Sequence, residues 1–70
     1  MIWFNGLIDQ LCHKFKWQAK QFEIVQFSRD EGDEFHLTLS FPQEGLVSLV
    51  GNYAEGQDVS ILVYSRGSVV

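Results

Sequence analysis

The sequence predicts an α+β fold in which one N-terminal helix packs on an antiparallel sheet of three or four strands. Two patterns carry this prediction. Apolar residues recur at helical spacing near the N-terminus, and the segment EFHLTLSF alternates between apolar and polar side chains. We expect the 70 residues to form one small domain, 1–70. A chain of this size buries only about 60% of the surface that it exposes when unfolded.

The helix is predicted over residues 6–16. Leu7, Leu11 and Phe15 follow one another at four-residue spacing and form an apolar stripe. Asn5 directly precedes this stripe and is a residue type that caps helix N-termini. We therefore expect the helix to begin after Asn5 and to bury its stripe against the sheet.

Two strands and a turn follow the helix. The segment 21–28 is rich in β-branched and aromatic residues and predicts the first strand. The alternating segment 34–41 predicts the second, and Gly32 supplies a turn between them. Pro42 ends the second strand because it removes a backbone donor. Together these segments predict a β-hairpin.

The C-terminal part is also predicted to be β-rich. The segment LVSLVGNY is ambiguous between a strand and a short helix, and its β-branched residues and flanking glycines favour the strand. DVSILVYS predicts a last strand with little charge. Such a strand at a sheet edge is a template for pairing, so either it is covered internally or it pairs with another chain. The residues that we expect to carry such pairing are Val59, Ile61, Val63 and Tyr64.

The composition disfavours several classes of protein, among them nucleic-acid-binding, secreted and membrane proteins. Hydrophobic residues make up 46% of the chain, charged residues 20%, and the formal net charge is −4. A net negative charge disfavours binding that depends mainly on phosphate contacts. Cys12 cannot form an internal disulfide, which fits a reducing compartment. The sequence shows neither a signal peptide pattern nor a membrane-spanning apolar run, and we expect an intracellular protein with no membrane partner.

The first half of the chain resembles a double-stranded RNA-binding domain. The segment LIDQLCHKFKWQAKQFEIV resembles that family's first helix and the link to its first strand, and FHLTLSF resembles its second strand. The resemblance covers roughly residues 5–41. The residues in matching places are Leu7, Leu11, Cys12, Lys14, Trp17 and Phe22. The resemblance implies RNA-contact candidates on the outer face of the helix, which are Gln10, His13 and Lys14. Lys14, Lys16 and Lys20 also form a basic cluster that suits RNA, an acidic partner or simply the C-terminal end of a helix.

The second half departs from that family. The resemblance implies a closing helix with a lysine cluster, but Arg66 is the only basic residue after residue 41. The hairpin loop SRDEGDE carries four carboxylates, which would repel a phosphate backbone. We therefore expect RNA contact to be weak and confined to the helix.

No catalytic or metal-binding motif stands out. Cys12 and His13 are adjacent, so a helix directs them about 100° apart. A nucleophilic pair of Cys12 with His36 would need an exposed thiol, whereas Cys12 lies on the apolar side of the helix. The acidic loop 30–34 lacks the spacing of a calcium loop, and we interpret it as a solvated turn. We expect no enzyme activity, cofactor, metal or small-molecule substrate.

Two tryptophans have alternative interpretations. Trp17 lies within a cluster of lysines. We favour the interpretation that its side chain packs as a lid over the end of the sheet rather than binding a partner. Trp3 either packs near Ile8 or is exposed as an anchor for a partner. Both remain candidates for protein contact.

The leading functional prediction is a non-catalytic module, similar to a double-stranded RNA-binding domain, that acts mainly in protein–protein interaction or dimerisation through its C-terminal strand. One alternative is direct binding of double-stranded RNA through the first helix. Another is a small α+β regulator or inhibitor, unrelated to that family, whose acidic loop acts as a decoy for a basic site.

Overall fold

The computed structural model describes residues 2–67. One helix and one antiparallel sheet make up the fold, with the strands in the order β1-β2-β3-β4. The elements are α1 (Ile2–Phe15), a short 3-10 helix (Ala19–Gln21), β1 (Glu23–Arg29), β2 (Glu34–Phe41), β3 (Gly45–Asn52) and β4 (Ser60–Gly67). The predicted α+β class is confirmed, with four strands. The interpretation of LVSLVGNY as a strand is also confirmed.

Helix α1 begins earlier than predicted. It starts at Ile2, so Asn5 lies within the first turns and does not cap the helix. The helix extends toward the N-terminus because Trp3 has a place in the core, where its side chain is 8% exposed. At the other end Lys16 adopts a φ of 59°, and the amide of Trp17 donates to the carbonyl of Cys12 at 2.9 Å. This is a Schellman-type ending, with lysine where glycine is usual.

The core lies between α1 and one face of the sheet. Leu7 and Leu11 of the helix are fully buried against it. The strands contribute alternate residues, as a sheet with one buried face requires. Those contributed by the central strands are Phe35, Leu37, Leu39 and Phe41 of β2 and Val47 and Leu49 of β3.

Aromatic side chains mark the two ends of the helix. At the N-terminal end the ring of Trp3 packs edge-on against Tyr53 at a centroid distance of 5.2 Å. At the C-terminal end the ring of Phe15 stacks on Trp17 at 4.6 Å and on Tyr64 at 5.3 Å. Trp17 also packs against Phe41. The helix therefore runs the length of the sheet, from the β1–β2 turn to the β2–β3 turn.

Each outer strand contains one irregularity. In β1 the pairing with β2 passes from Ile24 to Gln26, which leaves Val25 as an extra residue. In β4 the pairing with β3 leaves out Leu62 in the same way. These are β-bulges, which bend a strand and shift its side chains relative to the two faces.

Candidate functional site

The outer side of β4 is the candidate interaction site. Among residues 2–67, this strand is paired with β3 on one side and has no strand neighbour on the other. Its central side chains are exposed: Leu62 by 59%, Val63 by 54% and Tyr64 by 41%. An edge strand also presents backbone N–H and C=O groups that are not used within the sheet. The edge therefore combines apolar side chains with free pairing capacity.

The register of β4 explains which of its side chains are exposed. Val63 pairs with Val50 and lies on the face of the sheet opposite the helix. Tyr64 pairs with Leu49 and lies on the helix side, where its ring stacks on Phe15. Leu62 is the extra residue of the bulge, between the pairs Ile61–Gly51 and Val63–Val50. Because the bulge offsets the alternation, three consecutive large apolar residues remain exposed.

One charged side chain belongs to β4. Arg66 lies near its end, and its guanidinium nitrogen Nη2 is 3.2 Å from Oε2 of Glu44. The same nitrogen donates to the hydroxyl of Tyr64 at 3.1 Å. Arg66 and Glu44 are about half exposed, and an ion pair of this kind is worth about 0–1 kcal/mol. The charge of Arg66 therefore discourages pairing with another strand at the last part of β4, whereas the centre of β4 carries no such charge.

The open face of the sheet, which is the face that the helix does not cover, carries different side chains in its two halves. Its β1–β2 half carries polar side chains, among them Gln26, Ser28 and Thr38. Its β3–β4 half is mixed: Val50 lies beside Val63 and Leu46 is 38% exposed, with the pair Ser48–Ser65 between them. Val50 thus extends the exposed edge of β4 onto the open face.

Three predicted contact residues lie in or against the core. Trp3 and Val59 are buried. Ile61 is half-buried, pairs with Gly51 and packs against the core. These side chains contribute to folding and are not accessible to a partner in this structure. Trp17 is half-buried between the rings of Phe15, Phe22 and Phe41, as its interpretation as a lid implies.

Sequence analysis missed Leu62. Simple alternation along VSILVYS places Leu62 on the opposite face from Ile61 and Val63 and makes those two equivalent. The bulge breaks this equivalence, so that Ile61 is turned inward and Val63 outward. A local sequence carries little signal for a bulge, although the neighbouring Gly51 is a residue type typical of such irregularities.

The predicted RNA-contact residues are surface residues at the C-terminal half of the helix and just beyond it. His13, Lys14, Lys16 and Lys20 are exposed, and Gln10 is half-buried. No ion pair involving these lysines is present among the described residues. The three lysines belong to the basic end of the molecule, and RNA contact by these five residues stays a prediction.

The β1–β2 turn holds a cluster that the sequence did not predict. Nε2 of His36 lies 2.8 Å from Oδ2 of Asp30 and 3.7 Å from Oε1 of Glu34. One ligand atom from each of the three residues falls within 4.8 Å of the others. All three side chains are about half exposed. Contact between the imidazole and the carboxylates accounts for this arrangement, and we assign no metal to it.

Cys12 and His36 do not form a catalytic pair. Cys12 is half-buried on the helix, whereas His36 projects from the opposite face of the sheet. Burial, together with the nearby Asp9, raises the pKa of the Cys12 thiol above its ordinary value. A raised pKa lowers the fraction of reactive thiolate, so the thiol is a poor nucleophile.

Comparisons with known proteins add no identification. Protein-family models give no match, and neither a curated protein nor a solved structure matches the chain. The resemblance to double-stranded RNA-binding domains therefore depends on the sequence motifs alone. No helix among the described residues is both long and apolar enough to cross a membrane.

Proposed function

We propose that the protein is a non-catalytic interaction module that binds a protein partner by adding a strand to the outer side of β4. The observation that carries this proposal is the run Leu62–Tyr64, three consecutive large apolar residues exposed at the centre of an open edge. The resemblance to double-stranded RNA-binding domains suggests that the module acts within an RNA-associated protein.

Strand addition fits the chemistry of this edge. Main-chain hydrogen bonds supply affinity, and alternate side chains supply selectivity. Val63 on one face and Tyr64 on the other give the incoming strand an apolar neighbour on both sides. Burying the exposed part of such side chains contributes about 25 cal/mol per Å² of apolar area.

The open face supports the same partner. Val50 lies beside Val63 on that face and extends the apolar edge, and Leu46 adds a second apolar side chain beyond Ser48 and Ser65. A partner strand with β-branched or aromatic side chains on the open face would cover both Leu46 and Val50. The class of partner that we propose is therefore an extended apolar segment of another polypeptide.

Peptide selection tests this proposal with a matched pair of variants. Peptides that bind the unmodified chain would be selected from a random library, and their affinities measured against Val63→Lys and Val25→Lys. Both valines are exposed residues of edge strands, at 54% and 58%. We expect Val63→Lys to weaken binding at least about tenfold, equivalent to about 1.4 kcal/mol, and Val25→Lys to leave it unchanged.

The selected sequences provide a second readout. We expect them to be extended, rich in β-branched and aromatic residues and poor in proline, because proline cannot donate to the ladder. Equal weakening by the two variants, or selection of peptides that bind elsewhere, would overturn the proposal. Circular dichroism of both variants checks that the sheet is intact.

A further inference from the structure

We infer that the strand added to β4 is β4 of a second copy of this chain, running antiparallel to the first. This inference rests on the proposed function and specifies its partner. The observation behind it is the distribution of charge along the molecule. That distribution makes β4 complementary to itself in the antiparallel orientation.

One end of the molecule is acidic. Six of the nine carboxylates lie at the end of the sheet where β4 begins: two in the connection between β3 and β4, and four around the β1–β2 turn, two or three strands away from β4. Arg29 is the one basic residue there, and it lies 3.7 Å from Asp33. The carboxylates are Asp30, Glu31, Asp33, Glu34, Glu55 and Asp58.

The opposite end is basic. Four of the five lysine and arginine residues lie where β4 ends, against two carboxylates, Glu23 and Glu44. Lys14 and Lys16 flank Phe15, whose ring stacks on Tyr64 of β4. Arg66 lies on β4 itself. The strand therefore runs from the acidic end of the molecule to its basic end.

This polarity selects an orientation. In an antiparallel pair related by a two-fold axis, the beginning of one β4 lies beside the end of the other, so that each acidic end meets a basic end. In a parallel pair, the two acidic ends would lie side by side, as would the two basic ends, and like charges would repel each other. A self-complementary edge of this kind needs no other partner.

Charge and apolar surface have different roles in the pairing. The Debye length is about 10 Å at 0.1 M salt, so the exposed charges are partly screened and act mainly on orientation and association rate. The apolar residues Leu62 and Val63 and the backbone ladder supply most of the affinity. Association should therefore weaken with added salt without being abolished.

Analytical ultracentrifugation at low salt tests the inference. Lys14→Glu changes the charge beside the end of β4, and Lys20→Glu makes the same change in the segment that leads into β1. We expect a dimer of the unmodified chain. Lys14→Glu should weaken it about tenfold and Lys20→Glu by less than about twofold. Lys14→Gln, which neutralises without reversing, should fall between the unmodified chain and Lys14→Glu.

The outcomes separate this inference from the proposed function. A chain that stays monomeric at every concentration overturns the second copy as partner, while peptide binding at β4 can still succeed. A dimer that Lys14→Glu and Lys20→Glu weaken equally, or not at all, overturns the antiparallel arrangement. Equimolar Lys14→Glu and Asp58→Lys should form a mixed dimer as tight as the original, and a weaker mixed dimer would count against the charge argument.

Discussion

The two outer strands of the sheet expose apolar side chains to a similar extent, yet they are protected differently. In β1, Ile24 and Val25 are 44% and 58% exposed, and a charged residue stands at each end of the strand. In β4, three consecutive residues are exposed and only the last part carries a charge, Arg66. Charged residues on an edge strand discourage pairing with other chains. The edge at β4 is therefore the more open of the two.

The surroundings of the two strands also differ. Beside β1 the open face is polar, with Gln26 and Ser28 on the strand itself. The guanidinium of Arg29 lies 4.3 Å from the ring centroid of Trp3 on the helix side, which fixes the end of β1 to the core. Beside β4 the open face also carries two apolar residues, Val50 and Leu46, on either side of Ser48. Both bulges bend their strands, so the difference lies in the side chains rather than in backbone regularity.

The largest expected effect comes from detaching β4. A side chain at Gly51 would collide with the backbone carbonyl of Ser60, the residue that begins β4. We expect Gly51→Ala to lower the free energy of unfolding by about 2–4 kcal/mol, because one of the two strands must move. Urea denaturation followed by circular dichroism measures this change.

Gly67→Ala is the matched control for that variant. Gly67 also lies in β4, but a side chain there would meet open space. We expect the free energy of unfolding to change by less than about 0.5 kcal/mol, as for most surface substitutions. Equal effects of the two variants would show that β4 is not held against β3 as described.

The ion pair at the end of β4 should contribute far less. Glu44→Gln removes the carboxylate that faces Arg66 at 3.2 Å, and both side chains are about half exposed. We expect a loss of no more than about 0.5–1 kcal/mol in the free energy of unfolding, and a smaller loss in high salt. Thermal unfolding at two salt concentrations would measure it.

Glu23→Gln provides the comparison at the other edge. Glu23 begins β1 and is exposed, and no ion pair of its carboxylate is found among the described residues. Its substitution should leave stability unchanged at either salt concentration. If Glu44→Gln proved as neutral as Glu23→Gln, the Arg66 side chain would have no anchoring role at the end of β4.

Much of the fold follows from local patterns in the sequence. The stripe of Leu7 and Leu11 predicts the helix, and both residues are fully buried. The alternation in EFHLTLSF predicts β2, whose apolar residues all face the core. These patterns succeed because each reports one face of one element, and the helix and the central strands bury a single face.

Other features depend on contacts between distant residues. The helix extends past Asn5 because Trp3 packs against Phe27, Phe35 and Tyr53, which come from other elements. The bulge at Leu62 depends on how β4 fits beside β3. Likewise, the cluster around His36 forms only when the hairpin closes. Local periodicity carries little of this information, so the sequence predicted Val63 and Tyr64, which are exposed, but missed Leu62.

The central claim is that the molecule associates through β4 and not through β1. Two-dimensional ¹H–¹⁵N spectra over a dilution series, repeated with a selected peptide, test it residue by residue. We predict that amide signals of Leu62–Arg66 change with concentration or with added peptide, while those of Ile24–Ser28 stay constant. Changes centred on β1, or no change at either edge under both conditions, would contradict the account.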